Sequence, residues 1–195
     1  MIKMAIHYER EKFQTLLLEK YYERCGLVPG TSKPADDLCI RFTEWLYVRQ
    51  RFNSLLIQGR PGTGKTTLME AFYAALSELA ERGVVFENIR FKIQAAKLEN
   101  AEWLREGLIE TLSEAKGLII DDLGHESPIV KDYGRDYRPA EMILKQRSDK
   151  QLPTIVTTNL SLDMIEKQYD SPRLADVLSQ YDRIILESNK SFRRL

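Results

Sequence analysis

Cysteine and histidine are scarce in this sequence, and the few that occur do not have the spacing of a metal site. The 195 residues include two cysteines, Cys25 and Cys39, and two histidines, His7 and His125. Neither pair forms the short-spaced clusters that bind zinc. The separation of the cysteines along the chain allows a disulfide, although we favour a reduced pair in an intracellular protein.

The sequence also lacks an excess of charge of either sign and any long apolar run. Lys and Arg together number 29, and so do Asp and Glu, which gives a formal net charge of zero. Contact with DNA would therefore need a local patch or an assembled oligomer. No apolar run has the length of a membrane span, and the N-terminus is too charged for a signal peptide. We expect a soluble, cytoplasmic protein without a membrane partner.

A glycine-rich stretch is the strongest motif in the chain. Residues 59–67 read GRPGTGKTT, which fits the phosphate-binding pattern G-x-x-x-x-G-K-[ST]. In this pattern backbone N–H groups surround phosphate oxygens, the lysine reaches the β- and γ-phosphates, and the next hydroxyl binds Mg²⁺. We predict that Lys65 acts in catalysis and that Thr66 is a Mg²⁺ ligand. The predicted ATP-binding residues are Gly59, Arg60, Pro61, Gly62, Thr63, Gly64, Lys65, Thr66 and Thr67.

The segments around this loop provide the strand and the helix that the motif requires. Residues 54–58 are typical of a short buried strand, and after the loop apolar residues recur at helical spacing from Leu68 to Leu79. Predicted strands then alternate with predicted helices, which favours a parallel sheet with helices on both faces. The other predicted elements are helices at 2–24, 33–51, 100–115, 139–150, 161–168 and 171–180, strands at 84–91, 118–120, 154–157 and 183–187, and a loop at 124–138.

Polar side chains follow two of these strands at the end where ligands bind in open α/β sheets. Asp121 and Asp122 follow the strand at 118–120, and Asn159 follows the strand at 154–157. We predict that Asp121 holds Mg²⁺, directly or through water, and that Asp122 orients a water for attack on the γ-phosphate. Asn159 is predicted to bind the same water or phosphate, although asparagine here is also typical of an ordinary turn.

Two longer runs carry a resemblance to a known family. The runs are LIIDDLGHE at 118–126 and LKQRSDKQLPTIVTTNLSLDMI at 144–165. Together with the phosphate loop they resemble the DnaC/IstB group of AAA+ ATPases, which comprises bacterial replicative-helicase loaders and ATP-binding helpers of some transposons. The resemblance covers roughly residues 35–195. It implies an α/β P-loop core with a five-stranded parallel sheet in the order 5-1-4-3-2, helices on both faces and no C-terminal lid domain. Residues 1–32 would be an N-terminal helix and linker, and residues 33–195 the AAA+ ATPase domain.

The resemblance also implies roles for individual residues. Lys65 and Asp121 fall in the Walker A and Walker B motifs, and Asn159 falls on the sensor 1 position. Arg173 falls on an arginine that reaches the ATP of a neighbouring subunit, although a salt bridge to Asp176 within the same helix is the plainer interpretation.

Two further site candidates come from the same resemblance. Glu126 falls on the acid that follows the DDLG run, and Arg147 on the basic residue near the end of the next helix. Arg147 also continues the apolar face of that helix, so it either reaches the site or an adjacent subunit, or extends from the edge of the core.

Residues 91–105 occupy the place where this group carries an extra helix that lines a single-stranded DNA channel. Lys92, Lys97 and Arg105 are candidate phosphate contacts, and Trp103 is a candidate for stacking on a base. An ordinary solvated helix with a buried tryptophan is the alternative.

The resemblance implies a DnaC-type replication protein that binds Mg·ATP or ADP, hydrolyses ATP slowly alone, self-assembles with a shared site and loads a replicative helicase onto single-stranded DNA. An IstB-like helper that recruits a transposase has the same core. The usual N-terminal helicase-gripping module is not evident in the sequence. Alternatives of another class are a P-loop small-molecule kinase, with residues 124–138 as its basic lid, and a nucleotide-gated binding module that does not hydrolyse.

Overall fold

The computed structural model describes residues 5–48, 54–84, 86–87, 91–94, 107–132 and 134–186. The elements in chain order are β1 (Ala5–Ile6), α1 (Arg10–Cys25), α2 (Lys33–Tyr47), β2 (Leu55–Gly59), α3 (Lys65–Glu81), β3 (Phe86–Glu87), β4 (Phe91–Gln94), α4 (Leu108–Glu114), β5 (Leu118–Leu123), β6 (Val130–Asp132), β7 (Arg135–Tyr137), α5 (Pro139–Asp149), β8 (Thr154–Thr158), α6 (Leu162–Tyr169), α7 (Pro172–Ser179) and β9 (Asp182–Leu186).

A five-stranded sheet in the order β4-β5-β8-β2-β9 forms the centre of the fold. All neighbouring strands in it are parallel. When these five strands are numbered along the chain, the order is 5-1-4-3-2, as predicted. Parallel strands must be covered on both faces, which agrees with the burial of nearly every residue in β5 and of all five in β8.

Alternate strand residues point to two separate apolar cores. Leu55, Ile57 and Ile119 pack on the side covered by α1, α2 and α3. Leu56 and Ile120 pack on the opposite side, against apolar residues from α4, α5, α6 and α7. The sheet is therefore the middle of three layers.

The N-terminal helix belongs to the first of these cores. Phe13 and Leu17 of α1 are fully buried, and α1 packs against both α3 and α2. The helix ends at Gly26, whose positive φ of 66° provides the left-handed cap conformation. The predicted division at residue 32 follows the sequence motifs, whereas the apolar core continues across it.

Several predicted elements differ from the structure. The predicted helix at 2–24 begins only at Arg10, because Ala5–Ile6 pairs with Phe86–Glu87 as an antiparallel ribbon. The strand predicted at 84–91 lies later, at Phe91–Gln94, where β4 forms one outer strand of the five-stranded sheet. The predicted loop at 124–138 contains the hairpin of β6 and β7, which the buried Val130 anchors to the second core. The predicted helix at 100–115 is described only from Leu108 onward.

Candidate functional site

The glycine-rich loop joins β2 to α3 and requires glycine for two different reasons. Gly62 and Gly64 both have a φ of 83°, in the left-handed region that favours glycine. At Gly59 the requirement is space, because an added Cβ would lie 2.8 Å from Leu186 Cβ and 2.9 Å from Thr63 Oγ1. The loop therefore packs tightly against β9 while its turns direct the chain into the N-terminus of α3.

Lys65 is the first residue of α3, and its side chain lies in the concave side of the loop. It is 5% exposed. Its Nζ donates hydrogen bonds to the carbonyls of Gly59 at 2.7 Å and Arg60 at 3.0 Å, and to Asn159 Oδ1 at 2.6 Å. The predicted Walker A lysine and the predicted sensor asparagine are thus in direct contact, although 94 residues separate them along the chain.

Asp121 and Thr66 meet at the same place. Asp121 is fully buried in β5, and its Oδ1 accepts hydrogen bonds from Thr157 Oγ1 at 2.6 Å and Thr66 Oγ1 at 3.4 Å. A carboxylate and a hydroxyl side by side are hard oxygen donors of the kind that Mg²⁺ prefers. In the described ranges no three His, Cys, Asp or Glu side chains cluster as a metal site. A nucleotide-borne Mg²⁺ does not need such a cluster, since it retains waters and phosphate oxygens as ligands.

Asp122 adopts an unusual backbone conformation that turns its side chain toward the cavity. Its φ is 66°, and the register between β5 and β8 shifts at this point. Thr157 stabilises the distortion, because its Oγ1 accepts a hydrogen bond from the Asp122 N–H at 2.8 Å while donating to Asp121. The Asp122 carboxylate accepts a hydrogen bond from Asn159 Nδ2 at 3.1 Å. Strained conformations of this kind concentrate at functional sites.

Lys65, Thr66, Asp122 and Asn159 line a cavity of about 350 Å³, and Asp121 lies behind Thr66. The structure thus brings together five predicted residues, namely Lys65, Thr66, Asp121, Asp122 and Asn159. The cavity lining consists of Arg24, Cys25, Pro61, Gly62, Gly64, Lys65, Thr66, Thr67, Asp122, His125 and Asn159.

The sequence analysis missed four residues of this region. Thr157 and His125 lie within the runs that carry the resemblance, near the C-terminal ends of β8 and β5. This position in the sequence was the signal that could have identified them as site residues. Arg24 and Cys25 had no local signal. They reach the cavity because α1 packs on α3, where Arg24 also forms an ion pair of 3.6 Å with Glu70. Burial raises the pKa of the Cys25 thiol, which therefore stays protonated at neutral pH.

Glu126, a candidate site residue, serves as an anchor in the structure. It is buried, and its Oε2 accepts a hydrogen bond from the Gly124 N–H at 2.9 Å. Its Oε1 accepts one from the hydroxyl of Tyr169 in α6. Burial raises the pKa of Tyr169, so the hydroxyl keeps the proton that it donates. The chain after Asp122 is thereby attached to α6, and Glu126 does not line the cavity.

Removing this hydroxyl with Tyr169→Phe is expected to lower the free energy of unfolding by about 1–3 kcal/mol, because a buried carboxylate oxygen loses its donor. Denaturant unfolding measures the change. Tyr47→Phe is the matched control, since the buried Tyr47 hydroxyl has no hydrogen-bond partner among the described residues. Equal effects of the two substitutions would contradict the anchoring role of Glu126.

Arg147, the second candidate, does not belong to the site. It is fully buried and donates from Nε to Thr154 Oγ1 at 2.9 Å and from Nη2 to the Pro153 carbonyl at 2.6 Å. Its Nη1 donates to the carbonyls of Leu112 and Ala115, both at 2.7 Å. These partners lie at the C-terminal end of α4 and at the start of β8. They are therefore at the opposite end of the strands from the phosphate loop. Arg147 therefore caps α4 from within the core.

The remaining predicted residues are either exposed or not described. Arg173 lies exposed in the first turn of α7 and forms no ion pair within the described part of the chain. Lys97, Trp103 and Arg105 lie outside the described residues, as does the side chain of Lys92 in β4. The predicted roles of these residues in a shared site and in DNA binding stay predictions.

No helix in the described ranges combines the length and the apolar character that crossing a membrane requires.

Comparison with known proteins gives structural but not sequence matches. No protein-family model matches the sequence, and no curated protein matches it. The crystal structure of the DnaC helicase loader is similar, with 19% identity and a TM-score of 0.56 over 87% of this chain and 99% of that one. The crystal structure of DnaI has 19% identity and a TM-score of 0.55, over 93% and 95% of the two chains.

AMPPCP-bound DnaA from Aquifex aeolicus also matches, with 19% identity and a TM-score of 0.54 over 84% of this chain. This chain spans 50% of the length of that DnaA chain. At these identities the likeness concerns the fold, and it confirms the predicted α/β core: the protein shares the fold of these DnaC, DnaI and DnaA structures.

Proposed function

We propose that the protein binds Mg·ATP in the cavity beside the P-loop and hydrolyses it to ADP and phosphate. The observation that carries this proposal is the direct contact of Lys65 with Asn159, and of Asn159 with Asp122, at the C-terminal ends of the strands. A purely structural loop would not need a buried lysine, a strained acid and an amide at the same point. The AMPPCP in the DnaA structure supports nucleotide binding by this fold.

Each side chain has a defined task in this proposal. Loop amides and Lys65 hold the phosphates, for which Lys65 Nζ turns from Asn159 Oδ1 to a phosphate oxygen. Thr66 and Asp121 would hold Mg²⁺, which neutralises charge on the phosphate oxygens when bound. Asp122 orients the attacking water and accepts its proton, and Asn159 binds the same water or the γ-phosphate. Positioning and electrostatics provide nearly all of the catalysis in phosphoryl transfer.

We further propose that the active form is an assembly in which the exposed Arg173 completes the site of a neighbouring copy, as the residues resembling the DnaC/IstB group imply. Its task would be loading a replicative helicase onto single-stranded DNA, in the cytoplasm. The likeness to the DnaC helicase loader supports this, as does that to a DnaA bound to AMPPCP and single-stranded DNA. Recruitment of a transposase is the alternative that uses the same core.

The base of the hairpin after β5 speaks against the kinase alternative. A kinase lid needs basic side chains that are available to a phosphate acceptor. Arg138 is instead bound to the carbonyls of Tyr169 and Asp170 at the end of α6, while Lys131 and Arg135 lie exposed on the hairpin. The loop predicted as a lid is thereby attached to the body of the protein at its base.

Asp122→Asn is expected to reduce ATP hydrolysis at least about 100-fold with little change in nucleotide affinity, since a general base contributes a factor of this order. Single-turnover hydrolysis and titration with a fluorescent ATP analogue measure the two quantities, with and without single-stranded DNA and at rising protein concentration. Asp136→Asn, on the exposed strand β7, is the control. Transfer of phosphate to a nucleoside or a sugar without DNA would contradict the proposal.

Mixing two inactive variants tests the shared site. Asp122→Asn protein retains Arg173, and Arg173→Ala protein retains Asp122, so adjacent copies of the two form some complete sites. We expect part of the hydrolysis to return on mixing. If mixing restored no hydrolysis, Arg173 would not be part of the neighbouring site. Recovery of a hexameric helicase or of a transposase from the native lysate with ATP would then decide between the two partners.

A further inference from the structure

His125 lines the cavity, although neither the motifs nor the resemblance assign it a role. Its side chain is 52% exposed. Its Nε2 lies 2.9 Å from Asn159 Nδ2 and 3.5 Å from Asp122 Oδ1. The ring therefore contacts the two side chains that the proposed mechanism places around the attacking water.

The short loop that carries His125 is held on both sides. The Gly124 N–H donates to Glu126 Oε2, and Gln168 of α6 donates to the Gly124 carbonyl. Gly124 itself has a φ of 105°, in the left-handed region that favours glycine, and a Cβ there would lie 2.4 Å from Leu160 Cδ1, so a side chain would strain the backbone and displace Leu160. A half-exposed ring contributes little to the core, yet the backbone beneath it is fixed. This arrangement is typical of a functional side chain held ready by its surroundings.

The hydrogen bonds determine which ring nitrogen carries the proton. Lys65 can only donate, so the Asn159 atom that it contacts must be the amide oxygen. The Asn159 amide nitrogen then faces both Asp122 and His125. An N–H donor at 2.9 Å from Nε2 requires a lone pair there, so the neutral ring carries its proton on Nδ1.

We propose that His125 is a positioning residue for the terminal phosphate end of the cavity, and that it acts by holding Asn159. The proposal rests on the proposed ATPase function. When a phosphate oxygen replaces Asn159 Oδ1 as the acceptor of the hydrogen bond from Lys65 Nζ, Asn159 Oδ1 no longer has this donor. Asp122 and His125 are then the contacts that keep the amide in place, and the same pair keeps Asp122 directed toward the water.

Two substitutions separate this role from a structural one. His125→Phe keeps a ring but has no acceptor, whereas the Oε1 of His125→Gln can accept from Asn159. We expect kcat to fall roughly three- to tenfold in His125→Phe, the effect of one lost hydrogen bond, with KM and the nucleotide affinity unchanged. His125→Gln should retain most of the rate, and His7→Gln, at an exposed position near β1, is the control. Equal rates in the Phe and Gln variants would overturn the proposal.

Nitrogen-15 NMR tests the same contact without hydrolysis. The sequence has two histidines, so His7→Gln leaves a single imidazole, that of His125. In nucleotide-free protein at alkaline pH we expect the Nδ1–H tautomer to dominate, and Asn159→Ala to remove this preference. A dominant Nε2–H form would overturn the proposal. If the wild-type protein does not hydrolyse ATP but shows the expected tautomer, the ATPase function fails while the contact of His125 with Asn159 stands.

Discussion

Lys65→Ala is expected to lower the affinity for ATP at least about 100-fold and to stop hydrolysis, since charge-assisted hydrogen bonds to phosphate are roughly twice as strong as neutral ones. The lysine is nearly buried, and oxygen atoms of Gly59, Arg60 and Asn159 are among the partners that hold Nζ at the loop. Among the described residues, no other lysine lines the cavity. Isothermal titration with ATP and ADP measures the loss.

Two variants show whether the effect is specific. Lys167→Ala, at an exposed position of α6, removes the same charge far from the loop and should leave the affinity unchanged. Lys65→Arg should not restore binding, because the carbonyls of Gly59 and Arg60 surround a single ammonium and a planar guanidinium is larger. Circular dichroism must show a folded Lys65→Ala protein. Nucleotide binding at wild-type strength in that protein would refute the assignment of the cavity.

Arg147→Met is expected to reduce the free energy of unfolding by about 3–5 kcal/mol, because it leaves several buried carbonyls without donors. Arg147 donates to the carbonyls of Leu112, Ala115 and Pro153, and its own side chain is fully buried. Burial lowers the pKa of its guanidinium to about 10, so the group is still protonated at neutral pH and all its donors are present. Urea unfolding of both proteins measures the difference.

The control for this substitution is Arg183→Met on β9, where the arginine is exposed and bonds a single carbonyl, that of Ser179. We expect it to change the stability by less than about 0.5 kcal/mol. At low temperature, where Arg147→Met protein is still folded, its nucleotide affinity should equal that of the wild type. If Arg147→Met left the stability unchanged but abolished hydrolysis, Arg147 would be a residue of the site and not an internal cap.

The sequence alone determined the parts of the protein that depend on neighbouring residues. The glycines and Lys65 of the loop specify a phosphate-binding turn through backbone conformations within a few positions. The apolar run before Asp121 specifies a strand covered on both faces. Because neighbouring strands are parallel, Asp122 and Asn159 lie together at their C-terminal ends. For this reason the parallel sheet and the grouping of the main site residues could be predicted from local patterns, whereas the order of the strands followed from the resemblance to the DnaC/IstB group.

Only the tertiary structure decided what depends on packing between distant segments. Arg147 continues an apolar helix face in the sequence, and only the docking of α5 against α4 and β8 turned it into a buried cap instead of a site residue. Arg24 reaches the cavity because α1 packs on α3. The contact of His125 with Asn159 joins residues 34 positions apart. Local patterns specify backbone conformation, whereas side chains from separate elements meet according to how the layers pack.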